Sequence, residues 1–144
     1  MTKQTIQMAL RQIEAGSIVC AAIREGEIIA FHTGRGVAPV LQMYQQGQLA
    51  GSILVDKVVG KAAAMVMTRG GVVGCHAVTM SKAALQWFQQ QRIQVTYDCL
   101  TEYIVNRTGD GMCPMEQTVL NLQDDSRIVS VLEEKLSQLR DSKQ

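Results

Sequence analysis

The alternation of apolar and polar positions divides the chain into short elements of two periods. In 2–15 the apolar residues Ile6, Ala9, Leu10 and Ile13 recur at helical spacing, and Gly16 supplies a stop. Two apolar runs, 18–23 and 28–31, flank the polar stretch Arg24-Glu25-Gly26-Glu27, which predicts an antiparallel hairpin. The loop 33–38 leads into Pro39, a residue favoured in the first helical turn. Val40, Met43 and Tyr44 then share one face of a helix that Gly47 closes. A short strand is expected at 53–55.

Asp56 is placed to cap a helix running to about Thr68, apolar nearly all round through Val58, Val59, Ala62, Ala63, Met65 and Val66. Such a helix is central. Gly60 and Ala64, one turn apart, would admit another backbone closely, and the cost of glycine in a helix implies a packing reason for Gly60. The valine-rich run 71–79 reads as a strand covered on both faces. Ser81 can cap a helix with Ala84, Leu85 and Phe88 facing inward, and 93–97 is the next strand. Strand, helix and strand make a βαβ unit, so these strands should be parallel with a right-handed crossover.

Residues 99–105 fit a strand or a helical turn equally, and 106–111 is a loop. Pro114 opens a short helix through Leu122. Asp125 or Ser126 caps a last helix, about 126–140, with Ile128, Val131, Leu132, Leu136 and Leu139 on one stripe, and 140–144 should fray.

Composition narrows the class. At 144 residues, 47% hydrophobic and +1 net charge, the chain fits a single domain over 1–144 and neither a disordered acidic tail nor a basic nucleic-acid binder. No apolar run approaches a membrane span, and the first residues lack the apolar core of a signal peptide, so a soluble cytoplasmic protein is expected. The core should be filled by Val, Ile, Leu, Ala and the eight Met, since only 4% of residues are aromatic. Cys20, Cys75, Cys99 and Cys113 are widely spaced and form no Cys-x-x-Cys pair, which argues against disulfides and structural zinc.

Five places could carry chemistry. His32 and His76 are the only histidines, and Cys75 and His76, adjacent in a strand, point to opposite faces, so no metal site and no cofactor are expected. Lys57 and Lys61, four apart in the expected central helix, share a face at its start beside Asp56, where an anion would offset them. Thr33-Gly34-Arg35-Gly36 offers free N–H groups ahead of a helix and a guanidinium clamp in Arg35. Cys113 at a helix start could be an activated thiol, while Glu116 three residues on matches a capping box and opposes thiolate formation. Arg107 and Asp110 could add polar contacts or simply solvate their loop.

The stretch Asp56-Lys57-Val58-Val59-Gly60-Lys61-Ala62-Ala63-Ala64, with Asn106-Arg107 and Cys113-Pro114-Met115-Glu116, resembles an uncharacterised bacterial and archaeal domain family of cytidine-deaminase-like fold, over roughly 5–123. The resemblance implies an α/β fold, a three-layer α/β/α sandwich with a mixed β-sheet. Active cytidine deaminases carry His-x-Glu or Cys-x-Glu and Pro-Cys-x-x-Cys at the starts of two helices. Here those places fall at 56–63 and at Thr79-Met80-Ser81-Lys82, without the zinc ligands. The expectation is a zinc-free domain that binds a small anionic metabolite, a nucleotide among the candidates, through Lys57, Lys61, Arg35, Gly36 and Asp56 near the usual ligand cleft. Two alternatives stay open: an enzyme using Cys113 or Glu116, and a structural module whose apolar surface forms a homodimer, with its Gln-rich stretches 42–46 and 89–91 either at the interface or on a solvated helix face.

Overall fold

The computed structural model describes residues 2–106 and 108–141. Arg107 and residues 142–144 of the expected frayed tail lie outside them. A five-stranded mixed sheet organises the rest, in the order β2-β1-β3-β4-β5, with β1 (Cys20–Arg24), β2 (Glu27–His32), β3 (Ile53–Val59), β4 (Gly74–Ser81) and β5 (Gln94–Thr101). The hairpin forms as its polar stretch predicts. Glu25 and Gly26 both take positive φ, 54° and 79°, the pair of left-handed residues that a tight turn matched to strand twist requires. β1 is antiparallel to β2 and β3, whereas β3, β4 and β5 run parallel, so the sheet changes direction between β1 and β3.

Helix α1 (Thr2–Glu14) covers one face, burying Ala9 and Ile13 against Ile18, Ala21, Ile23 and Val55. The other face carries α2 (Ala38–Gln45), α3 (Lys61–Gly70), α4 (Lys82–Gln90), α5 (Pro114–Val119) and α6 (Ile128–Asp141) around the larger core. The result is a three-layer α/β/α sandwich. Alanine and methionine make α3 its centre: every residue from Ala62 to Met67 is buried, as an apolar helix at the middle of a layer must be. Ser81 caps α4, its hydroxyl accepting Ala84 N–H at 3.1 Å.

Several boundaries differ from the sequence reading, β4 among them, which runs Gly74–Ser81 in place of 71–79. Asp56 is no helix cap: β3 runs on to Val59, because Cys20 on one side and Ala77 on the other pair with Asp56 and hold the backbone extended. Lys57 therefore lies in a strand, and α3 begins four residues later with Gly60 as its N-cap. Residues 99–101, ambiguous by period, extend β5, where Leu100 pairs with Met80. The α5 helix ends at Val119, short of Leu122.

Candidate functional site

The parallel strands β3 and β4 deliver the starts of α3 and α4 to one edge of the sheet, the edge where open α/β folds place ligands. At the start of α3 the first N–H groups have no partner within their helix. Glu116 of α5 supplies one: its carboxylate accepts Lys61 N–H at 2.6 Å through Oε1 and Ala62 N–H at 2.9 Å through Oε2. The expected capping box within α5 is not formed, since Glu116 reaches across 55 residues of sequence to cap another helix and Cys113 makes no side-chain cap. Burial raises the Glu116 carboxyl above its ordinary range, while the two N–H groups and Lys61 hold back that rise.

Gly60 makes this contact possible. A Cβ there would stand 2.4 Å from the Glu116 carboxylate, so the packing reason inferred for Gly60 is the carboxylate itself, not a neighbouring backbone. The Lys61 side chain returns the contact: its ammonium donates to Leu120 O, at the C-cap of α5, at 3.1 Å and to Leu122 O, two residues beyond, at 2.7 Å. Partial burial lowers the Lys61 pKa, and the Glu116 charge opposes that shift.

Beside this junction an open groove of about 450 Å³ runs between α4 and residues 120–123. Lys61 stands on its wall with Gln86, Gln90 and Gln123, and Trp87 and Ala83 complete the α4 side. Trp87 is itself almost fully buried, its indole N–H donating to Thr68 Oγ1 at 3.0 Å, which fixes the α4 wall against α3. No residue lining the groove is acidic.

The remaining site candidates lie outside this groove. Lys57 is exposed on β3, so the expected lysine pair on one helical face does not exist. Arg35 and Gly36 are exposed in the loop before α2. Asp56 is buried in the sheet, where desolvation raises its carboxyl to about 7 against the lowering effect of the Lys57 and Val58 N–H groups. Burial pushes the thiols of Cys20 and Cys75 up, and Asp56 adds to both. His76 sits across β4 and β5, with Nδ1 2.6 Å from Thr96 Oγ1 and Nε2 3.3 Å from the Asp98 carboxylate, on the face opposite Cys75. Asp110 is spent on its own loop, accepting from Thr108 and Asn106.

Gln86, Gln90 and Gln123 escape motif reading because neutral glutamines carry no signature. Their sequence traces are the Gln-rich stretch 89–91, which holds Gln90, and the i, i+4 spacing of Gln86 and Gln90 on the polar side of α4. Among the described residues no group of three or more His, Cys, Asp or Glu could hold a metal ion. No helix of the described chain is long and apolar enough to cross a membrane.

All four cysteines are free, and their environments set an expected order of reactivity. A thiol reagent on native protein should modify exposed Cys99 first and half-buried Cys113 more slowly, leaving Cys20 and Cys75 untouched until denaturant is added. Timed labelling followed by peptide mass spectrometry reads this order. Cys113 reacting ahead of Cys99 would instead mark an activated thiol.

Mixed sheet, single covering helix and capped α3 together define an α/β/α domain in which α5 packs against the start of the central helix. Residues 8–136 match the TM1506 domain of unknown function (DUF1893). The chain belongs to that family. It is also similar to the crystal structure of a DUF1893 family protein (TM1506) from Thermotoga maritima, at 28% identity and a TM-score of 0.83, with 92% of this chain and 90% of that one covered. No curated protein matches.

Proposed function

We propose that the domain binds a small anionic metabolite in the groove beside α4, with Lys61 as the charged anchor, on a cytidine-deaminase-like fold that lacks the zinc-binding motifs. The observation carrying this reading is the Lys61 ammonium on the wall of a groove lined by carboxamides and by no acidic side chain. Two of its three N–H bonds are used on Leu120 O and Leu122 O, which orients the head group and leaves one donor for a ligand. The deaminase-like assignment draws support from the mixed three-layer sandwich and from a groove beside the carboxyl ends of parallel strands, and as a guide to function it is an analogy of fold. Four free cysteines support a reducing, cytoplasmic setting.

Lys57, Arg35, Gly36 and Asp56 drop out of this version of the site, since none of them lines the groove. A thermal-shift screen of anionic metabolites, nucleotides included, should raise Tm with at least one compound, and the shift should vanish in Lys61→Ala. Absence of any anion-dependent rise in the native protein counts against the reading.

A non-zinc enzyme using Cys113 and Glu116 is the second reading. Its support is that both residues stand in the first turn of α5, where Glu116 is buried and its carboxyl holds a proton more tightly than usual. The thiol-labelling order given above bears on it directly.

A further inference from the structure

We infer that the groove selects a monocarboxylate bearing an amide, hydroxyl or carbonyl group, and excludes phosphate esters. This rests on the proposed function and narrows it to a chemical class. Charge is the first ground. A phosphate monoester carries about −1.5 to −2 near neutral pH and is ordinarily met by arginine forks or by the free N–H groups at a helix start.

The groove offers one ammonium and no arginine. The helix starts at this edge are partly occupied from within: Glu116 holds the first two N–H groups of α3, and the Ser81 hydroxyl holds Ala84 N–H of α4. Lys82, the next cation along the edge, is ion-paired with Glu102. A polyanion entering here would also meet the buried Glu116 carboxylate immediately behind the Lys61 backbone, with nothing further to neutralise it. A single carboxylate needs only the one ammonium donor that remains.

Hydrogen-bonding capacity is the second ground. Gln86 and Gln90 stand one turn apart on α4, and Gln123 comes from the segment after α5. Each carboxamide presents both a donor and an acceptor and carries no charge, so the three together match neutral polar groups that also donate and accept. Trp87 is turned into the core and offers no open face for stacking a nucleobase. A volume of about 450 Å³ falls within the usual range for small-ligand sites.

The test is isothermal titration of the full chain with a panel of 2-hydroxy acids, 2-oxo acids and N-acetylated neutral amino acids, set beside inorganic phosphate and nucleoside monophosphates. At least one monocarboxylate should bind, weakening more than tenfold both in Lys61→Met and in Ala83→Glu. The second variant fills the groove with a negative side chain, and at the second position of α4 a glutamate suits the helix dipole, so it keeps the test decisive if Lys61→Met fails to fold. A phosphate compound bound more tightly than every carboxylate, with the same sensitivity to both variants, would overturn the assigned class and leave the Lys61 groove standing as the site. Binding untouched by Ala83→Glu, or no anion bound at all, would overturn the groove itself.

Discussion

Asp56→Asn is expected to flatten the dependence of stability on pH. Relative to the native chain, the variant should gain about 3 kcal/mol between about pH 4.5 and about pH 8. The cause is the raised carboxyl, near 7 in the folded protein against an ordinary 3.8. A carboxyl whose pKa rises on folding favours the folded state while it is protonated. That contribution is complete below about pH 4, declines as the pH climbs towards 7, and is gone above it. Asparagine cannot ionise, so the difference between the two stability curves isolates Asp56 even though Glu116, also raised, tilts both curves the same way. Urea denaturation at a series of pH values measures the difference. Parallel curves for the two proteins would show that Asp56 titrates as an ordinary carboxylate. A constant offset, which tracks whatever hydrogen bonding asparagine forfeits, does not bear on the slope.

The second large effect concerns the cap supplied from α5. Glu116→Ala leaves Lys61 N–H and Ala62 N–H without their acceptor, and about 2–3 kcal/mol of stability should be lost, the scale of charge-assisted hydrogen bonds to a buried group. Gly60→Ala should cost nearly the same. Its backbone, at φ −98°, accepts any residue, so the penalty comes entirely from the new methyl group driving the carboxylate off its two N–H donors. If so, the costs do not add: once Glu116 is alanine, the methyl at position 60 meets no carboxylate, and the double variant should be little worse than either single one. Chemical denaturation of the four proteins gives the coupling energy. Additive costs would mean that Gly60 is required for some other reason.

Local signals were readable where a single residue type has one use. The polar stretch between the apolar runs at 18–23 and 28–31 announced the hairpin, Ser81 announced α4, and the spacing of strand, helix and strand announced the parallel pair β4 and β5. The stretch 56–60 misled because Asp-Lys-Val-Val-Gly suits a helix start and a strand end equally. What decided it was pairing with Cys20 and Ala77, a tertiary fact. The site was less legible for the same reason. Lys61 was identified from its charge, but its partners, Glu116 and the carbonyls of Leu120 and Leu122, lie 55 to 61 residues away, and no local pattern connects them. The glutamines that complete the groove lack charge, reactivity and fixed spacing to a lysine two elements earlier.

The reach of Glu116 also sets an order of events during synthesis. A chain emerging from the ribosome can complete all five strands and α4 by Thr101, yet the first turn of α3 still lacks its acceptor, because the residue that supplies it is 15 positions further on. Lys61 waits longer still for Leu122. The helix at the centre of the core is therefore among the last to be sealed, and a ribosome paused anywhere between these points would hold a complete sheet whose central helix is still uncapped.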